Sequence, residues 1–174
     1  MTEIIKSPKK IFISGLYRSG TTLIEKMLNM HPFLNIAPQP FPLLYIHLKS
    51  EFLRTHNFKR RYPIEHLFLE KGYTPEKFSH YLGNAKVSRS SLEKTLLDNH
   101  KYSGCLTKEL IDYQNEFISD NFKGIQNQLH AAIKKIFQKN DAEIIGSKEI
   151  LLEEYIPALL NNTKVILVVR DPRD

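Results

Sequence analysis

A chain of 174 residues with 41% hydrophobic and 10% aromatic content has enough apolar material for a globular core, which argues against intrinsic disorder. Its lone cysteine, Cys105, excludes an internal disulfide and fits a reducing compartment, and neither a signal peptide nor a membrane-spanning run is apparent, so we expect a soluble cytoplasmic protein without a stable membrane anchor. A net charge of +6 points to a polyanionic partner, either a nucleic acid or a small, multiply charged molecule.

The first element is a short buried strand, Lys10-Ile11-Phe12-Ile13-Ser14, rich in β-branched and aromatic residues and stopped by Gly15. It runs into Gly15-Leu16-Tyr17-Arg18-Ser19-Gly20-Thr21-Thr22, which has the glycine frame of a phosphate-binding loop, G-x-x-x-x-G-K-[ST]. Thr21 stands where the lysine of a nucleotidase loop would be, and Arg18 lies inside the loop instead. A fork of guanidinium donors suits a compact terminal phosphate better than a triphosphate. Leu23, Ile24, Met27, Leu28 and Met30 then recur at helical spacing, and the helix is expected to end at His31-Pro32. The stretch APQPFP, 37–42, begins as loop, and a helix through Leu43, Leu44, Ile46, Leu48 and Phe52 follows.

The middle of the chain is less patterned. Helices are expected at 75–82, opened by Thr74-Pro75, and at 89–99, opened by Ser90-Ser91. The basic cluster Lys59-Arg60-Arg61 fits no groove-reading motif and reads as a solvated face rather than a nucleic-acid site. From 116 to 138, Ile118, Phe122, Ile125, Leu129, Ile133 and Ile136 form a helical stripe that Gly124 weakens by roughly 1 kcal/mol.

The pattern sharpens again near the end. Glu143-Ile144-Ile145-Gly146-Ser147 reads as a strand leading into Lys148-Glu149, and an apolar helical segment is expected from Ile150 to Leu160, bent or started at Pro157. Lys164-Val165-Ile166-Leu167-Val168-Val169 reads as a parallel strand buried on both faces, delivering Arg170-Asp171-Pro172-Arg173 at its end. Strand, helix, strand predicts an α/β domain of the three-layer P-loop-like type, a central parallel β-sheet flanked by helices. Ligands of such sheets sit beyond the carboxyl ends of the strands, where the loop, Lys148 and Arg170 are placed.

Taken together, GLYRSGTTL and KVILVVRDPRD resemble the two cofactor motifs of sulfotransferases that use 3'-phosphoadenosine 5'-phosphosulfate (PAPS). The first is similar to their 5'-phosphosulfate loop in its arginine-bearing form, the second to their 3'-phosphate strand and loop. IGSKEI resembles a strand-end segment that carries a catalytic lysine or histidine in several branches. The resemblance implies that Arg18, Ser19, Gly20, Thr21 and Thr22 bind the 5'-phosphate and that Arg170 binds the 3'-phosphate. It implies that Arg18 and Lys148 serve the in-line transfer of a sulfuryl group to a hydroxyl or amine acceptor, leaving adenosine 3',5'-bisphosphate (PAP).

Two places depart from the family's pattern. The general base of tyrosylprotein-type members is a glutamate in the segment after the first helix, where this chain has Gln39; His31 and Glu149 are the substitutes in view. The family also continues beyond R-D-P-R-D, so residues 1–174 are expected to be one sulfotransferase-like α/β domain truncated at its C-terminal side, binding the cofactor weakly and turning over little. The acceptor could be a small molecule, a glycan, a lipid or a peptide, and no metal is assigned because the seven histidines lack metal-type spacing. A P-loop nucleotide or metabolite kinase and a non-catalytic anion-binding relative remain open as alternatives.

Overall fold

The computed structural model describes residues 9–58, 67–68, 70–103, 107–137, 141–159 and 163–171. The cluster Lys59–Arg61, Cys105 and Pro172–Asp174 lie outside the described residues.

Four parallel strands form the centre: β1 (Lys9–Gly15), β2 (Leu34–Pro38), β3 (Ile144–Lys148) and β4 (Thr163–Val168), in the spatial order β2-β3-β1-β4. Side chains alternate across this sheet with the strand period of two, and the alternation sorts them into two cores. On one face Ile11, Ile13, Leu34 and Ile36 pack with Ile24 and Leu28 of helix α1 (Thr21–Asn29). On the other, Phe12, Ala37 and Ile145 join a larger core built from α2 (Pro42–Thr55), α3 (Pro75–Asn84), α4 (Arg89–Ser103), α5 (Thr107–Tyr113) and α6 (Phe122–Phe137). Helices therefore cover both faces of an all-parallel sheet, the three-layer arrangement expected of the sequence.

Local chemistry fixes the ends of these elements. Thr74 caps α3 by accepting from Lys77 N, with Pro75 at the first helical position. Asn29 closes α1 against β2: its amide donates to Ile36 O at 2.9 Å and its Oδ1 accepts from Ile36 N at 2.8 Å. A buried ion pair ties α2 to the segment after β3: Lys49 Nζ lies 2.7 Å from Glu154 Oε1, and Glu154 also accepts from Tyr45 Oη and Leu67 N at 3.0 Å each. Each of these three contacts is with a donor, which is what burial of a charge requires.

The structure differs from the sequence reading in several places. Strand β2 was not anticipated; it pairs with β3 at the edge of the sheet, where Pro38 costs no interior ladder bond. Helix α6 begins at Phe122, not 116, because Asn121 Oδ1 accepts from Gly124 N at 2.8 Å, and Ile118 is left 91% exposed. The expected helix over 150–160 is a left-handed residue, Leu151 (φ 64), a 3₁₀ turn at Glu153–Tyr155 and a short α7 (Ile156–Leu159). Finally, β4 is not buried on both faces: among the described residues it is an edge strand, with Leu167 52% exposed and Val169, just past its end, 80% exposed. Among the described residues no helix is long and apolar enough to cross a membrane.

Candidate active site

The loop between β1 and α1 is shaped by its two glycines. Gly20 adopts φ +96 at the cap of α1, a left-handed conformation that glycine enters without a Cβ clash. Gly15 is required for another reason: a Cβ there would lie 2.5 Å from Val168 O and 2.8 Å from Ser19 Oγ. The absence of a side chain lets β4 and the returning loop close on the end of β1. Between the glycines Arg18 takes φ 65, a conformation costing a non-glycine residue about 1–2 kcal/mol.

This loop leaves the head of α1 ready for an anion. No side chain caps the helix and its first turn carries no acidic residue. Its leading N–H groups and the positive end of its dipole are thus uncompensated by a carboxylate. Ser19 Oγ is buried with no hydrogen-bond partner, a donor waiting for an acceptor. Thr21, in the place of the nucleotidase lysine, is buried, whereas Thr22 and Arg18 are exposed. These residues suit an anion with several oxygens, held by amides, a hydroxyl and a guanidinium.

Lys148 reaches the same spot from β3. It is only 1% exposed, and its Nζ lies 3.4 Å from Thr22 Oγ1 and donates to Gln39 Oε1 at 2.6 Å. Gln39 is locked to present that oxygen. Its own N–H donates to Lys148 O at 2.7 Å, its carbonyl accepts from Asn99 Nδ2 of α4 at 2.7 Å, and its backbone is left-handed at φ 44. A neutral amide thus orients the cation without cancelling its charge. Neighbouring Glu149 does not cancel it either: burial pushes its carboxyl up to about 8, against the N–H of Phe41 and the charge of Lys148, so it is protonated at neutral pH.

Arg170 follows the end of β4, two residues beyond Val168, whose carbonyl abuts Gly15. Gly15, Ser19 and Arg170 line one cavity of about 760 Å³, together with Leu16, Tyr17, Phe68, Glu153, Ile156, Pro157, Leu167, Val168, Val169 and Asp171. The structure therefore brings Arg18, Ser19, Gly20, Thr21, Thr22, Lys148 and Arg170 to adjoining ends of β1, β3 and β4. His31 is not among them. It lies past the far end of α1, accepting from Phe33 N at 3.3 Å and packing on the Phe33 ring. Among the described residues no group of three His, Cys, Asp or Glu side chains is gathered as a metal site would require.

Sequence reasoning missed Ser14 and Glu153. Ser14 Oγ donates to Glu153 Oε1 at 3.0 Å beneath the loop. The available signal was an acidic pair, Glu153-Glu154, set in the otherwise apolar run ILLEEYIPALL. Charges inside such a run have partners or a purpose. Glu154 has the partners.

A family model described as a sulfotransferase family matches residues 8–174. No curated protein matches the chain.

Proposed function

Because the chain belongs to the sulfotransferase family, we propose that it transfers a sulfuryl group from PAPS to a hydroxyl-bearing small molecule, releasing PAP. The donor supplies a sulfuryl group joined through an oxygen to a 5'-phosphate, and the chain's own residues supply the rest. The loop amides from Gly20 to Thr22 and the Ser19 hydroxyl hold the 5'-phosphate at the head of α1. Arg18 neutralises the charge that builds on the departing bridging oxygen. Arg170, at the end of β4, takes the 3'-phosphate. Lys148 offers its ammonium between the donor's phosphate and the group in transfer.

The observation that carries this reading is the placement of Lys148. A nucleotidase loop brings its lysine from within the loop, on the residue that is Thr21 here. In this protein the cation comes from another strand and stands 3.4 Å from Thr22 Oγ1, fixed by Gln39. That geometry serves a bridging oxygen at the helix head rather than a triphosphate tail.

Calorimetry on the complete protein tests the assignment. PAP is expected to bind and ATP-Mg²⁺ to bind far more weakly. Arg18→Ala is expected to weaken PAP by tenfold or more, the loss of one charge-assisted contact of about 1.5–3 kcal/mol. Lys148→Met is expected to retain PAP while losing turnover about a hundredfold or more. Tight ATP-Mg²⁺ binding without a response to PAP overturns the assignment in favour of a kinase.

A further inference from the structure

Helix α4 sends one polar side chain toward the site from outside every sequence motif. Leu92, Leu96 and Asn99 stand at i, i+4 and i+7, on the stripe that α4 turns toward the larger core. Two leucines there are ordinary packing. An asparagine that is 4% exposed is not, because burial takes its amide out of water and so demands a specific partner. Its Nδ2 donates to the backbone carbonyl of Gln39 at 2.7 Å. Neither Asn99 nor Gln39 lines the large cavity, so any effect they have on the reaction passes through another group.

Gln39 is the residue at which the chain leaves β2. Its N–H still donates to Lys148 O at 2.7 Å, continuing the ladder to β3, and Phe41 N, two residues on, donates to Glu149 Oε2 at 3.2 Å. Between them the backbone turns through φ 44, which glycine adopts freely and a residue with a Cβ does not. A glycine would make this turn without strain but would have no oxygen to offer. The glutamine keeps the strain and brings Oε1 to 2.6 Å from Lys148 Nζ. Strain retained beside a functional cation points to a side chain that is needed there. The carbonyl that Asn99 holds belongs to this strained residue itself. Releasing it lets the Gln39 backbone rotate toward an ordinary conformation, and the side chain swings away from Lys148 with it.

We infer that Asn99 is a positioning residue for sulfuryl transfer: it holds Gln39 in its left-handed turn, and Gln39 aims the Lys148 ammonium. This rests on the sulfotransferase reading. Asn99 and Gln39 are both neutral, so they orient Lys148 without diminishing the positive charge that it brings to the departing oxygen. A carboxylate in place of the glutamine would orient the ammonium equally well and cancel its charge. The relay joins α4, the end of β2 and the end of β3. The rate of transfer thereby depends on a helix that gives no residue to the wall of the large cavity.

The test uses Asn99→Leu, which removes the donor and suits the apolar stripe of α4, with Asn99→Ala as the second variant if the leucine fails to fold. Spectra of the complete protein labelled with ¹⁵N at its lysine side chains report the Lys148 ammonium, assigned by its disappearance in Lys148→Met. That ammonium is expected to give a distinct signal in the wild type and to lose it to exchange with water in Asn99→Leu. The Lys49 ammonium, bonded to Glu154 at 2.7 Å, is expected to stay unchanged and controls for the fold. Transfer is read without an added acceptor, as sulfate released from PAPS. There a water oxygen bonds to sulfur and sheds its protons to solvent, while the bond from sulfur to the bridging oxygen breaks and its electron pair leaves with the phosphate of PAP. Asn99→Leu is expected to slow release about tenfold with PAP affinity kept, and to add less than about twofold to the loss in Lys148→Met. An unchanged Lys148 signal, unchanged release, or losses that multiply in the double variant overturn the assignment. Loss of the Lys49 signal together with that of Lys148 shows a general structural role and overturns it too. A protein that binds no PAP overturns the sulfotransferase reading instead, and the ammonium signal still decides whether Asn99 holds Lys148.

Discussion

Glu149→Gln is expected to abolish a loss of stability that the wild-type protein suffers between neutral and mildly alkaline pH. The Glu149 side chain is wholly buried, and burial raises its carboxyl from 4.5 to about 8. Between those values the unfolded chain has released the proton and the native chain keeps it. The native state binds more protons there, so stability falls as pH rises, by about 1.4 kcal/mol per unit. His130 acts in the opposite sense. Burial, then the charge of Lys10, lowers its imidazole from 6.5 to about 4, so its contribution is present above 6.5 and lost as pH falls. Between 4.5 and 6.5 the two slopes oppose each other, and above 6.5 only that of Glu149 remains of the two. From pH 6.5 to 8 the expected loss is on the order of 2 kcal/mol. In the glutamine variant the side-chain oxygen still accepts from Phe41 N, and the amide nitrogen replaces Oε1, which has no partner to lose. Urea unfolding followed by circular dichroism at the two pH values is the assay. The wild type should lose roughly the stated amount while the variant stays level within about 0.5 kcal/mol. Parallel losses in both proteins would refute the reasoning.

Two further substitutions probe the frame of the site. Gly15→Ala forces a Cβ to 2.5 Å from Val168 O and should destabilise the protein by about 1–3 kcal/mol and weaken PAP binding, as read by unfolding and calorimetry. Gly83→Ala, with nothing within 4 Å of its Cβ, should be neutral or slightly stabilising, and similar behaviour of the two would contradict the packing argument. Lys49→Met leaves Glu154 charged and buried without its cation, and urea unfolding should show a cost of about 3–5 kcal/mol. Adding Glu154→Gln should recover part of that cost; a single variant within about 1 kcal/mol of wild type would show the pair to be dispensable.

The parts of the fold readable from sequence were those set by short-range chemistry. β1, the loop and α1 announce themselves through an apolar run, two glycines and helical spacing, and β4 through a continuous stretch of Val, Ile and Leu. β2 was hidden because Asn35 and Pro38 break its pattern, and its pairing with β3 supplies what its composition does not. The segment after β3 looked helical because its apolar content is high. Its actual turn is held by Ser14–Glu153 and Lys49–Glu154, contacts with residues far away in sequence. The candidate site divides in the same way. The loop and Arg170 lie in contiguous motifs, whereas the clamp of Gln39 on Lys148 joins two distant segments and is visible only once the sheet is assembled.

The position of β1 has a consequence for how the protein comes into being. β1 lies between two strands that are distant from it in sequence, with Lys9 opposite Ile144 and Lys10 opposite Thr163. A ribosome adding roughly 5–20 residues per second takes on the order of ten seconds or more to deliver both partners. Until then Ile11, Phe12 and Ile13 have no sheet to enter, and Gly15 has no Val168 carbonyl to close against. Long-range pairing of this kind folds slowly and leaves apolar segments exposed to aggregation. The phosphate loop is therefore synthesised well before the strands that close on it and takes shape only once they have arrived.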